Sequence, residues 1–242
     1  MCDTGTDEHL SRLEVRNVIV GYDGPPIVKG ASVMVEAGRI TVVLGPNGAG
    51  KSTFSKAVLG LLKVQDGQVL VDGLDVTGLA PHQLIRHGVG YLPQLMNVFD
   101  ELTIIENLEM GAYIHRGNVR DRIREVLDLF VDLKDQPKKK AGQLSGGQQR
   151  MLALARTLMI DPKFLVLDEP TAGLAPIYTR RVWEQITRIR DQGVGLLVVE
   201  QNVRAAMGHA DDAVVFTDGL ITIAGPADEV VKHDSFGSLF IG

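Results

Sequence analysis

The chain is nearly free of cysteine. Cys2 is its only one, so no disulfide can form within it, which fits a reducing compartment such as the cytosol. Aromatic residues are scarce, at 5%, with a single tryptophan. No apolar run approaches the ~18 residues that a membrane span needs, so contact with a membrane is expected only through a partner. Positive charge is not in excess. The formal net charge is −5, which gives no general reason to expect nucleic-acid binding. Residues 1–10 are polar and acidic and are expected to form a flexible tail rather than a signal peptide. Internal repeats and low-complexity segments are also missing. What is present is a chain of 242 residues, 45% hydrophobic and 23% charged, enough for one domain with a sizeable core spanning 11–242.

The most informative stretch is Gly45-Pro46-Asn47-Gly48-Ala49-Gly50-Lys51-Ser52-Thr53. It follows the β-type run Ile40–Leu44 and precedes a helical pattern from Ser52 to about Leu62. Strand, glycine-rich loop and helix with the spacing G-x-x-x-x-G-K-S describe a phosphate cradle. Glycines let backbone N–H groups turn inward around phosphates, and the helix N-terminus adds a positive dipole end. Lys51 brings a charge to the β- and γ-phosphates, and the Ser52 hydroxyl can ligate Mg²⁺.

Around this loop the chain reads as an α/β protein. Arg12–Tyr22 alternates as a strand, Asp23–Pro26 turns, and Ile27–Val35 is a second strand, so an antiparallel set leads into the core. Tyr22 has an aromatic face that can stack on a base; packing of an edge-strand tyrosine on its own sheet is the simpler expectation. Gly67–Asp72 and Gly88–Leu92 are strands, with Asp72-Gly73 as a hairpin signal and Pro81–Arg86 as a short helix. Gln94 follows the second of these, where an amide can reach a metal ion or its water. Residues 95–160 change texture and read as a helical insertion between core segments 11–94 and 161–242. Within it, Thr103 and Glu106 form a capping box, and Val119–Phe130 carries a helical apolar stripe. Lys138–Lys140 is expected to be a solvated run.

Three more groups carry chemistry. Leu144-Ser145-Gly146-Gly147-Gln148 precedes a helix expected at Gln149–Met159, and reads as a second anion-receiving surface rather than a plain serine cap with flexible glycines. Phe164–Leu167 is wholly apolar and ends in Asp168-Glu169. Such a strand is buried on both faces within a parallel sheet, whose carboxyl ends bind ligands. Asp168 is then placed for the Mg²⁺ shell, and Glu169 for a water facing the γ-phosphate. Gly195–Val199 is a second buried strand, ending Glu200-Gln201-Asn202. Pro176–Arg190 is a helix with Trp183 as a packing residue. Ala213–Phe216 and Leu220–Ile223 form a hairpin around Asp218-Gly219, and no C-terminal regulatory domain is expected after it.

With these residues in view, the chain resembles the ATP-binding cassette (ABC) ATPase family over nearly its whole length. The resemblance rests on the phosphate loop, Gln94, LSGGQ at 144–148, and Asp168-Glu169. More narrowly it resembles the LivF-type ATP-binding subunits of branched-chain amino acid importers, through the stretches at 97–113, 145–159, 168–176 and 198–202. The resemblance implies a P-loop NTPase (RecA-like) core with an N-terminal antiparallel β subdomain and an inserted α-helical subdomain. It implies ATP and Mg²⁺ as cofactors. Tyr22 would stack on adenine, and Gly45 to Ser52 with Thr53 would hold phosphates and metal. Gln94 would reach the metal, and Glu169 would be the general base. Ser145, Gly147 and Gln148 would meet the γ-phosphate held by a second subunit. The partners implied are that second ATPase subunit, a transmembrane permease pair docked on the helical insertion, and, indirectly, a periplasmic binding protein. The location implied is cytoplasmic, peripheral on the inner face of the cell membrane.

Two positions depart from the family pattern. Gln201 stands where a histidine contacting the γ-phosphate is usual. An amide donates a hydrogen bond but cannot carry positive charge. Ala175 stands where an aspartate bonding across the dimer is usual. Together they point to weak turnover of this chain's own site and to a non-identical sister subunit. The glutamine also fits the LivF-type branch. The alternatives are another ABC machine, such as a urea or amide importer or a lipopolysaccharide exporter, and a non-transport ABC protein of translation or repair. Against these stand Gln201 for the exporter, and the lack of a second cassette or long coiled insertion for the last.

Overall fold

The computed structural model describes residues 10–94 and 98–240, with side chains up to 237. Most of the expected N-terminal tail, Cys2 and the expected start of the insertion lie outside the described residues. In chain order the elements are β1 (Arg12–Val20), β2 (Val28–Glu36), β3 (Ile40–Leu44), α1 (Lys51–Val58), β4 (Asp66–Val71), β5 (Leu74–Asp75), α2 (Pro81–Leu84) and β6 (Val89–Leu92). Four helices follow: α3 (Ile104–Gly111), α4 (Val119–Leu129), α5 (Val131–Lys134) and α6 (Gly146–Leu158). The chain then runs through β7 (Phe164–Asp168), α7 (Pro176–Asp191), β8 (Gly195–Val199), α8 (Val203–Met207), β9 (Asp212–Thr217), β10 (Leu220–Pro226), α9 (Ala227–Val230) and α10 (Asp234–Phe240).

Two sheets organise these elements. An antiparallel sheet has the order β2-β1-β4-β5, and a larger one the order β10-β9-β3-β8-β7-β6. In the larger sheet β3, β6, β7, β8 and β9 run parallel, and only β10 is antiparallel. Every residue of β3, β7 and β8 is buried, as expected of strands apolar but for Thr41 and the terminal Asp168. The pleat sends alternate side chains to opposite layers. Val42, Leu165, Leu167 and Val198 face a core shared with α3, α4, α6 and α7. Val43, Val166, Leu197 and Val199 face a second core shared with the antiparallel sheet and α1. Each such buried Val or Leu contributes about 2 kcal/mol of transfer free energy. Among the described residues no helix is long and apolar enough to cross a membrane.

Local differences from the sequence expectations have local causes. β1 ends at Val20, leaving Tyr22 outside it, and β1 lies inside its sheet rather than at an edge. α1 stops at Val58 rather than near Leu62 because Gly60 adopts φ 64° and donates to the Ala57 carbonyl, ending the helix. A Cβ at Gly60 would lie 1.8 Å from the Leu79 carbonyl oxygen, so no other residue fits that ending. α6 starts at Gly146 rather than Gln149. Ser145 is its N-cap, in a capping box with Gln148, and this draws Gly146–Gln148 into the first turn.

Candidate functional site

The parallel strands deliver their carboxyl ends to one edge of the large sheet, where ligands of such sheets bind. Along that edge the neighbours are β3, β8, β7 and β6. Their ends lead, in the same order, into the glycine-rich loop, Glu200-Gln201, Asp168-Glu169 and Gln94. Residues far apart in sequence are brought side by side by strand order alone.

The loop is shaped by its glycines. Gly45, Gly48 and Gly50 have φ of 147°, 81° and 103°. A Cβ on Gly45 would sit 2.4 Å from the Phe216 carbonyl oxygen of β9, so the loop lies tight against the sheet. The β9–β10 turn props it from outside, with Gly219 N donating to the Ala49 carbonyl at 3.0 Å. Lys51 is buried and curls under the arch, where its Nζ donates to the carbonyls of Gly45 at 2.7 Å and Pro46 at 2.9 Å. Burial pushes the Lys51 pKa down, against the opposing pull of the Glu169 and Asp168 charges. Ser52 is exposed and Thr53 buried in the first turn of α1. Pro46, Asn47 and Ala49 complete the cradle.

Tyr22 is exposed near α1, with Lys56 Nζ 3.3 Å from its hydroxyl and 5.9 Å from its ring centroid. An open aromatic face held by a lysine of α1 is available for stacking.

Glu169 is the focus of the edge. Its side chain is buried, Gln94 Nε2 donates to its Oε2 at 2.5 Å, and Gln201 Nε2 donates to its Oε1. The carboxylate lies between two amides because β7 lies between β6 and β8. Its backbone is left-handed at φ 47° and its N–H donates to the Val199 carbonyl at 2.8 Å. A non-glycine residue there costs on the order of 1–3 kcal/mol, and such strain clusters at functional positions.

Asp168 is buried, and its Oδ1 has no hydrogen-bond partner among the described residues. Burial and the Glu169 charge push its pKa up, while Lys56 and Lys51 pull it down. A buried carboxylate oxygen without a donor fits a cation. Carboxylate, hydroxyl and amide oxygens are the hard ligands that Mg²⁺ takes, together with phosphate oxygens and water. Asp168, Ser52 and Gln94 therefore fit the ion as a set of oxygen donors.

The Leu144–Gln148 segment bonds mainly to itself. Ser145 Oγ accepts from Gln148 N at 3.3 Å, and Gln148 Oε1 accepts from Ser145 N at 3.1 Å. A Cβ on Gly147 would lie 2.1 Å from the Tyr178 ring of α7, so the helix start approaches α7 closely. Its link to the edge runs through Arg150 on the same helix. That buried guanidinium donates twice to the Gln94 carbonyl, each at 3.0 Å, and once to Pro93 at 3.4 Å.

Lys56, Arg150, Thr171 and Glu200 lie beside the candidate site residues, and the sequence does not single them out. Glu200 has a signal, since it directly follows a buried parallel strand just as Glu169 does. Lys56 and Arg150 have none beyond lying on the helices that follow two glycine-rich motifs.

Comparison with known proteins agrees with this geometry. Residues 28–172 match the ABC transporter family. A probable branched-chain amino acid transport ATP-binding protein LivF of Archaeoglobus fulgidus is 41% identical over 224 residues, covering 92% of this chain and 95% of that protein. The lipopolysaccharide export system ATP-binding protein LptB of Haemophilus influenzae is 33% identical, covering 96% and 98%. Among solved structures, the ADP conformation of MJ1267, an ATP-binding cassette of an ABC transporter, superposes with a TM-score of 0.85 at 26% identity, covering 96% and 99%. A phosphate loop, a strained glutamate between two amides and these likenesses along the whole chain lead to one conclusion: the chain belongs to the ABC transporter family, as one of its ATP-hydrolysing subunits.

Proposed function

We propose that this chain powers an importer for branched-chain or related amino acids, working from the cytoplasmic face on a transmembrane permease pair fed by a periplasmic binding protein. The observation that carries the catalytic part is Glu169, held by Gln94 and Gln201 at the strand ends beside the phosphate loop. The import side is supported by the 41% identity to a LivF protein against 33% to an exporter subunit.

In this reading Tyr22 stacks on adenine, and the amides and Lys51 of the loop Gly45–Thr53 take the phosphates. For Lys51 this means exchanging its two loop carbonyls for phosphate oxygens. Asp168, Ser52 and Gln94 would hold Mg²⁺, whose chemistry there would be to neutralise phosphate charge. Glu169 accepts a proton from the attacking water, and Gln201 donates towards the γ-phosphate. Ser145, Gly147 and Gln148 present their hydroxyl, N–H and amide groups to the nucleotide of a second subunit. Residues 95–160 carry the permease-docking surface. Gln201 and Ala175 favour a non-identical sister as that second subunit, since neither supplies the charge or the cross-dimer bond of the usual residues.

Replacing Glu169 with Gln keeps the shape and removes the base. ATP binding is expected to persist while hydrolysis falls about 100-fold or more. Turnover that survived the change would refute the assignment. Reconstitution with the permease pair and binding protein, followed by ATP-dependent leucine uptake, tests the substrate class.

A further inference from the structure

Glu200 is almost wholly buried, at 2% exposure, yet it forms no ion pair among the described residues. Its two oxygens are divided between two loops. Oε1 accepts from Thr171 N at 3.1 Å and Thr171 Oγ1 at 2.6 Å, on the loop after β7. Oε2 accepts from Gln201 N at 3.0 Å and Asn202 N at 3.4 Å, on the loop after β8. Thr171 lies two residues beyond Glu169, and the Gln201 side chain donates back to Glu169. The result is a closed ring: Glu169 to Thr171 along the chain, Thr171 to Glu200, Glu200 to the Gln201 backbone, and the Gln201 amide to Glu169. A carboxylate suits this ring because both its oxygens only accept, and every group facing them donates.

We propose that Glu200 is a positioning residue which locks the Glu169 and Gln201 loops into one unit, so that the base and the amide that meets the γ-phosphate move together. Its carboxylate bonds go to Thr171, Gln201 and Asn202, and it acts through the two loops it spaces. A purely structural buried polar group would hold one loop to the core. Glu200 gives one oxygen to each of two loops that carry catalytic groups. This inference rests on the roles proposed above for Glu169 and Gln201.

The test uses the full-length chain. Glu200→Gln keeps the side-chain size but sets an NH₂ against backbone donors, so one loop loses its acceptor. The expected result is a fall in kcat on the order of 10- to 100-fold, as for a base displaced from its place. ATP affinity should change less than about twofold, because Lys51 Nζ bonds to the Gly45 and Pro46 carbonyls and not to Glu200. In ¹⁵N spectra the Gln201 side-chain amide should shift, and this readout needs no turnover. Thr171→Val should lower kcat in the same way, and Thr171→Ser should recover most of the loss. This pair decides the matter if Glu200→Gln fails to fold. In a Glu169→Gln background, Glu200→Gln should leave the residual rate unchanged. An unchanged kcat, a matching loss of ATP affinity, an unmoved Gln201 amide or an additive effect on Glu169→Gln would each overturn the proposal. If Glu169→Gln itself keeps full turnover, the catalytic reading falls; if it abolishes turnover and Glu200→Gln does nothing, only the positioning role falls.

Discussion

Arg150 gives the sharpest prediction about how the two glycine-rich regions communicate. It stands one turn into α6 and is 5% exposed, and its guanidinium holds the Gln94 and Pro93 carbonyls. Burial pushes its pKa down and the Glu200 charge pulls it up. A hydrogen bond from a charged donor contributes about 1.5–3 kcal/mol. The three contacts share two carbonyls, and Gln94 is exposed enough for water to replace part of the loss. Arg150→Ala is therefore expected to cost about 2–3 kcal/mol, or a Tm lower by roughly 5–10 °C in a chain of this size. The functional effect is separate. With its carbonyl released, Gln94 loses the fixed approach that puts Nε2 2.5 Å from Glu169, and kcat should fall about tenfold. Arg150→Lys should recover little, because a single ammonium lacks the two nitrogens that the planar guanidinium aims together at the Gln94 carbonyl. Urea unfolding gives the stability term and steady-state ATP hydrolysis the rate. The deciding measurement is the cycle with Gln94→Ala. If Arg150 works through Gln94, adding Arg150→Ala to Gln94→Ala should change the rate by less than about twofold. Two independent, additive losses would refute the link, as would a large drop in Tm with no change in rate.

Two further outcomes follow from the same edge. Gln201→His puts a donor able to carry charge beside Glu169, and hydrolysis by the purified chain should rise about 3- to 10-fold, since a charge-assisted hydrogen bond is about twice as strong as a neutral one. Robust hydrolysis by the native chain, unaltered by the substitution, would argue against Gln201 as the brake. Asp168 has its pKa raised on folding, so the native state holds that proton more tightly than the unfolded chain. The associated stability is complete below the ordinary carboxylate range and is lost as pH climbs through the raised value. Asp168→Asn should thus raise Tm by about 2–4 °C at pH 8, less at pH 5, while weakening Mg²⁺-dependent ATP binding; melting curves at both pH values check the sign.

Much of the fold is legible in the sequence because burial writes itself into composition. β3, β7 and β8 are buried on both faces, and their sequences, apolar but for Thr41 and the terminal Asp168, carry that burial. The phosphate loop is legible because its glycines are needed for conformation, as Gly45 against Phe216 shows. The helix ends are not. The end of α1 depends on Gly60 meeting Leu79, a contact across 19 residues, and the start of α6 depends on how Ser145 and Gln148 pair. α8 and α9, of five and four residues, are too short to carry a periodic signal. Individual site residues are visible as polar groups at strand ends, but their grouping is hidden. Gln94 and Gln201 converge on Glu169 only because β6 and β8 flank β7, which brings together residues 75 and 32 positions from Glu169 in sequence. The buried Arg150 is hidden for the same reason, and Glu200 is visible as a strand-end carboxylate while its bonds to two loops are not.

Trp183 packs as its sequence context implies, but its neighbour gives it a second use. It is the chain's sole tryptophan, buried in α7 and stacked on His209 with ring centroids 5.2 Å apart and planes 8° from parallel. His209 is also 3.1 Å from the Thr187 hydroxyl through Nδ1, which fixes the ring against α7. The imidazole sits just past α8, and α8 begins two residues after Gln201. The indole is thus a single native fluorophore resting on a ring at the far end of the segment that begins at Gln201. A displacement of that segment that reaches His209 would alter the stack, and with it the quenching of the molecule's sole tryptophan. The protein therefore carries its own optical gauge of the loop after β8, free of labels and of background.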